Sequence, residues 1–289
     1  MSRAAKTLGT SQPAISRQIS ALEEQLGGDL LIRHGNRILG LSKAGTAMLG
    51  IAKRMLQDEG NLKRVCAQHA SLGSGKLIIA TTHLFARYAL QRVIKNYIRK
   101  YPNVPLHLRQ GNPIEVAQWI NDGTADIGVN GGATEAYPEI AALCYTTLQR
   151  AVITDAKHPL LKEKVVSLEM LCHYPLITLD QNFPGGRAVI NAFNAAQIKP
   201  NIRVSAADTD VIKTYVELGL GIAILPSIAY HRSRDINLRA IDVGHLFKPT
   251  DVHVALRRGT LPTKEVYDFV SILAPQWSRR LIEEAIHAR

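Results

Sequence analysis

Between Ser11 and Gly27 the chain reads SQPAISRQISALEEQLG, and its apolar residues Ile15, Ile19, Leu22 and Leu26 fall at i, i+4, i+7 and i+11. That spacing is the single stripe of an amphipathic helix turned toward a core. Ser11 is placed to cap the helix, Pro13 is tolerated in its first turn, and Gly27 can take the left-handed conformation that ends it. A shorter helical stretch, SRAAKTL, stops at Gly9-Thr10. Two helices joined by a tight turn make a helix-turn-helix. The apolar stretches DLLIR and RILGL, on either side of His34-Gly35-Asn36, then read as a β-hairpin wing. From Ala44 to Ala70 the pattern is helical again. Positions 48, 52, 55, 59, 62, 66 and 69 follow steps of four and three, and five of the seven are apolar. This fits a short coiled-coil seam, and equally an amphipathic helix packed on its own domain.

Beyond the Ser71–Gly75 linker the pattern changes. KLIIATT predicts a strand, Leu84 to Tyr101 a helix, PLHLRQG a strand, Pro113 to Asn121 a helix and ADIGV a strand. The alternation restarts with YPLITLD, GRAVINAFNAA, IRVSAA, TDVIKTYVELGL and GIAILP. Strands alternating with helices imply crossover connections and a mainly parallel sheet, hence an α/β fold in two halves of about a hundred residues each. Ligands in such sheets bind outside the carboxyl ends of the strands.

Composition narrows the class. The 289 residues are 46% hydrophobic and 20% charged, as in ordinary globular proteins. No apolar run is long enough to span a membrane and no leader opens the chain, so a cytoplasmic protein is expected. Cys66, Cys144 and Cys172 are odd in number and outside any CxxC pattern. They read as buried thiols, not as a disulfide framework or zinc site. The net charge of +11 calls for a polyanion, either nucleic acid or an acidic membrane surface. Residues 1–75 alone carry net +5, more than twice the charge density of the rest. With the stripe of the second helix facing inward, Thr10, Ser11, Gln12, Pro13, Ser16, Arg17 and Ser20 belong to the face that would enter a major groove. There Gln and Arg read base edges and Ser and Thr hold phosphates, while Arg33 and Arg37 of the wing neutralise phosphates.

The run AAKTLGTSQPAISRQISALEEQLGGDLLIRHGNRILGLSKAG closely resembles the winged helix-turn-helix of LysR-type transcriptional regulators. Leu31 stands for the usual Phe and Ser42 for the usual Thr. Met1 falls where the family's second helix begins, so the expectation is an incomplete DNA-binding domain whose natural start lies upstream, or a chain that binds DNA poorly. The resemblance implies the following organisation: a winged helix-turn-helix over 1–42, a linker helix over 43–70 that pairs two subunits, and a hinge over 71–75. A two-lobed, periplasmic-binding-protein-like effector domain covers 76–289. Its lobe I is expected at 76–145 and 262–289, and lobe II at 146–261. It also implies a homodimer or homotetramer on double-stranded promoter DNA, contact with RNA polymerase, and no cofactor other than a small-molecule effector.

ATTHLFARYAL, RQGNP, DTDVIKTYVELGLGIAILP and VALRRG are similar to the branch that controls sulfur assimilation. Thr81, Thr82 and His83 end a strand and begin a helix, where hydroxyls and free amides suit an oxyanion such as sulfate. Leu84 and Phe85 follow them. Gln110, Asn112, Asn130 and Gly131 lie at the next strand ends, and Thr178, Phe183, Gly185, Thr209 and Asp210 approach from the second half. For each Thr a helix cap is the competing role, and for His83 a backbone hydrogen bond. The branch has Thr-Gln where Leu84-Phe85 stand and Thr where Gly131 stands, and the NFPGGR loop lacks its Thr. The expected effector is therefore larger or more apolar than sulfate, with an anionic end on Thr82. No G-x-S-x-G, Walker A or H-E-x-x-H motif is present, so neither an enzyme nor a metal site is expected. A solute-binding protein without effective DNA binding is the alternative.

Overall fold

The computed structural model describes residues 2–35, 37–69, 76–132, 134 and 136–288. The expected hinge at 71–75 and Asn36 of the wing turn lie outside the described residues, as do the side chains of Cys66 and His69. The chain divides into two compact units, residues 1–66 and 67–289.

The first unit holds α1 (Ser2–Thr7), α2 (Gln12–Leu26), the antiparallel pair β1 (Leu31–His34) and β2 (Arg37–Leu41), and α3 (Lys43–His69). The cap residues act as expected: the Ser11 hydroxyl accepts from the Ala14 amide and Gly27 is left-handed at φ 70°. The apolar stripe is only half buried. Ile15 is covered, but Leu22 and Leu26 are 41% and 51% exposed, and Leu8, after α1, is 70% exposed. On α2 it is Glu23 that is buried against the wing. Its carboxylate accepts from the amides of Leu30 and Leu31 and from the Arg33 guanidinium at 2.7 Å. A carboxylate thus closes the turn from helix to wing, where the periodicity alone asked for a leucine. Ser42 caps α3, accepting from the Gly45 amide. Gly45 is required by contact: a Cβ there would lie 2.0 Å from the Leu30 carbonyl oxygen. In the expected coiled-coil seam, Met55 and Leu62 are 67% and 66% exposed.

The second unit contains two mixed five-stranded sheets. In chain order its elements are β3 (Leu77–Thr81), α4 (His83–Tyr88), α5 (Gln91–Lys100), β4 (Leu106–Gln110), α6 (Pro113–Asn121), β5 (Ile127–Gly131) and β6 (Ile140–Leu148). There follow β7 (Arg150–Asp155), α7 (Leu168–Cys172), β8 (Leu176–Leu179), α8 (Pro184–Ala195), β9 (Ile202–Ala206), α9 (Thr209–Glu217) and β10 (Ile222–Pro226). The last are β11 (Leu238–Asp242), β12 (Thr250–Arg257), α10 (Lys264–Leu273) and α11 (Arg279–His287). Lobe I has strand order β4-β3-β5-β12-β6 and lobe II β9-β8-β10-β7-β11. In each, three strands are parallel, and the strand beside them, β12 or β7, runs antiparallel to both its neighbours.

This arrangement corrects three expectations. The sheets are mixed because β12 and β7 enter each sheet from the other lobe, reversing direction. Residues 250–257, expected in lobe II, form β12 of lobe I, so the second crossing comes before Thr250. The first is the single residue Gln149, since β6 runs on to Leu148. The helix expected over 84–101 is broken: the amides of Ala89 and Leu90 both donate to the Phe85 carbonyl, and the widened turn buries Leu90 completely. Cys144 is exposed on an outward position of the edge strand β6, and Cys172 is half-buried.

The Arg33 hydrogen bond holds the Glu23 carboxyl below its ordinary value of 4.5, with the two amide donors adding to it. Its stabilising contribution is therefore complete above pH 4.5 and is lost as the pH falls through the lowered value. In Glu23→Gln the first unit should melt earlier at neutral pH. The gap to wild type should close on acidification below pH 4.5, read by circular dichroism melts of the full chain.

Candidate functional site

The two lobes face each other across a cavity of about 50 Å³. Lobe I supplies Thr82, His83, Leu84 and Phe85 from the start of α4, with Gly131, Leu148 and Thr250. Lobe II supplies Arg150, Leu179, Ala207, Thr209 and Pro226, and the first turn of α8 through Phe183, Pro184 and Gly185.

Of the residues anticipated from sequence, eight line this space: Thr82, His83, Leu84, Phe85, Gly131, Phe183, Gly185 and Thr209. Six lie outside its lining. The Thr81 hydroxyl donates to the Val129 carbonyl within the sheet. Asn112 caps α6, accepting from the amides of Ile114 and Glu115. Gln110 meets the His83 ring nitrogen at 3.2 Å, and the Asn130 amide donates to the Pro113 carbonyl. Thr178 is buried at the back of β8, with its hydroxyl unpartnered. Asp210 belongs to a polar latch between the lobes.

In that latch the Tyr88 hydroxyl of α4 donates to Asp210 at 2.6 Å and accepts from the Lys213 ammonium at 2.8 Å. Lys213 also donates to Asp235 at 2.8 Å. Arg87 pairs with Asp210 at 2.9 Å, and His83 with Asp208 at 3.1 Å. Burial disfavours the Lys213 ammonium, but the hydrogen bonds to Asp235 and Tyr88 overcome it and hold its pKa above the usual lysine value. Among the described residues, only His83, Asp208 and Asp210 bring three potential metal ligands together. Arg87 and Lys213 already neutralise Asp210, which leaves that trio weak as a cation site.

Gly131 explains a departure noted in the sequence. A Cβ there would lie 3.2 Å from the Thr250 methyl and 4.0 Å from the Phe85 ring. The Phe85 ring therefore occupies the region toward which a larger residue at 131 would project.

Arg150 was missed. It opens β7, is 1% exposed, and donates to the Thr250 hydroxyl at 2.7 Å, while its Nε has no partner. Among the described residues it has no carboxylate partner, and burial pushes its pKa down to about 10. The signal available in the sequence was a charged residue heading the apolar strand RAVITD. On its own that reads as a residue at a strand end.

In the first unit Gln12, Arg17 and Ser20 are exposed on α2 and Ser16 is half-buried. Thr10, Ser11 and Pro13 stand exposed at its start, and Arg37 is exposed on the wing. Arg33, expected on phosphate, is turned onto Glu23 instead.

A capped helix-turn-helix with a wing, joined in one chain to two α/β lobes around a small cavity, defines a DNA-binding protein with a ligand-receiving domain. Residues 1–46 match the bacterial regulatory helix-turn-helix of the LysR family, and residues 70–278 match the LysR substrate binding domain. The chain belongs to the LysR family of transcriptional regulators. It is 40% identical to the regulator SsuR of Burkholderia cenocepacia over 99% of this chain and 94% of that one. It is 41% identical to CysB of the same organism, over 99% and 91%. The crystal structure of the cofactor-binding domain of the Cbl transcriptional regulator is 35% identical and superposes with a TM-score of 0.71, covering 75% of this chain and 95% of that one. These relatives fall in the branch that the effector-domain segments resemble.

Weakening a buried charge-assisted hydrogen bond costs stability even where a second counter-charge remains. Asp235→Asn is expected to destabilise the second unit by about 2 kcal/mol in urea denaturation, because Lys213 stays buried and keeps only Asp210, at 3.3 Å, as its counter-charge.

Proposed function

We propose that this regulator binds a roughly palindromic promoter operator as a homodimer or homotetramer, with the exposed face of α2 in the major groove. The observation that carries the reading is the pairing of a capped, polar-faced α2 with an exposed apolar seam on α3 in the same unit. A seam of that kind is what a second subunit covers, and two subunits put two recognition helices on two half-sites. Gln12 and Arg17 read bases, Ser16, Ser20 and Thr10 hold phosphates, and Arg37 of the wing neutralises a phosphate. Arg33 orients the wing on α2 through Glu23. The Ser2 hydroxyl donates to the Gln12 side chain at 2.9 Å, an arrangement that orients its amide.

The effector is a small anionic compound of sulfur metabolism, and the regulated genes belong to that metabolism. Its binding between the lobes biases one arrangement of the subunits, and RNA polymerase reads the result. The protein works by binding and not by catalysis in the cytoplasm. Its cavity is lined by hydroxyls, an arginine, apolar side chains and His83, whose two ring nitrogens are engaged by Gln110 and Asp208.

Arg37→Ala should weaken retention of a labelled promoter fragment and lower the slope of log affinity against log salt by about one. Arg33→Ala should act chiefly through the stability of the first unit. Gel shifts between about 50 and 200 mM salt check both, and sequence-independent retention would count against the operator reading.

A further inference from the structure

The Arg150 guanidinium is a desolvated cation that, among the described residues, has one neutral side-chain partner, Thr250, and no counter-charge. Its Nη1 would lie 3.2 Å from a Cβ placed on Gly185, so the absence of a side chain there brings the cation against the first turn of α8. That turn begins at Phe183 with no capping side chain, and Pro184 has no amide to give. The positive end of the helix dipole and the guanidinium therefore face each other, with no carboxylate of the described residues paired to either. The hydroxyl of Thr209, which lines the same space, has no partner either. By contrast, α6 and α9 are closed by their own caps, Asn112 and Asp208.

From this we infer that Arg150 is the anchor of the effector cavity and that the ligand it takes is a compact monovalent oxyanion, a carboxylate or sulfonate on a short apolar chain. One buried positive charge is neutralised by one negative charge. A sulfate dianion would leave a second charge buried among Leu84, Phe85, Leu179 and Phe183, where charge is costly. The oxyanion accepts from the Arg150 fork, the Thr209 hydroxyl and the first-turn amides of α8, and the chain rests on the apolar wall. Thr82 lines the opposite side and is not the main anchor. This inference rests on the effector cleft assigned above and adds the residue and the charge state that select its ligand.

Calorimetric titration of the full chain with sodium ethanesulfonate, sodium propionate and sodium sulfate tests it. At least one of the two monoanions should bind, and sulfate should bind at least about tenfold more weakly, since losing charge neutrality at a buried site costs at least one factor of ten. Ethanesulfonamide or propionamide, similar in shape and uncharged, should not bind, a comparison independent of any variant's folding. Arg150→Lys should weaken the monoanion by about tenfold, having a point charge in place of a fork, and Arg150→Gln should abolish it.

The inference is overturned if neither monoanion binds, if sulfate binds more tightly, if the amide matches its acid, or if Arg150→Gln binds as well as wild type. Promoter retention separates the two readings. Its loss with Arg150-dependent binding intact counts against the regulator model alone, and its presence with Arg150-independent binding counts against this site alone.

Discussion

The second unit depends on a double crossing of the chain between its sheets, held together by the pairing of β6 with β12. At Gln149 the chain leaves β6 of lobe I and begins β7 of lobe II, and between Asp242 and Thr250 it returns. The two crossings lie side by side because Thr250 pairs with Leu148 across the sheet and its hydroxyl accepts from Arg150. Each lobe receives a strand from the other and places it antiparallel beside three parallel ones. Any change in the angle between lobes must be absorbed at these few residues, which also border the cavity. Ligand and hinge thus share atoms, the condition under which binding can bias one arrangement over another.

Two kinds of buried charge flank the cleft. The latch of Tyr88, Asp210, Lys213 and Asp235 is satisfied by its own members, each ion meeting an opposite charge or a hydroxyl. Arg150 is not. A closed polar network holds the lobes in register, while an open one has affinity to spend on something that enters from outside. The same contrast appears in the first unit, where Glu23 is satisfied by two amides and Arg33 and so serves the fold.

Much of the fold was legible from sequence because periodicity and end signals are local. Ser11, Pro13 and Gly27 bounded α2, since a cap needs only neighbours three residues away, and Pro113 opened α6. The strands that escaped were β6, β7, β11 and β12. Their partners lie in other parts of the chain: β12 pairs with strands more than a hundred residues earlier. The candidate cavity was half legible for the same reason. Residues at strand ends could be listed, but which way each hydroxyl turned could not, and Thr81, Asn112 and Gln110 turned to backbone, cap and imidazole.

By itself the sequence determined the family, the order of DNA-reading and ligand-receiving parts, and the apolar departures at Leu84, Phe85 and Gly131. These are properties of short segments and of residue identity. The tertiary structure decided which charges are free. Arg33 and Arg150 are indistinguishable as letters, each an arginine in or beside a short strand. Folding sets Glu23 against one and an uncapped helix end against the other. Whether a buried charge is satisfied depends on groups brought from distant positions, and that is information only the assembled chain contains.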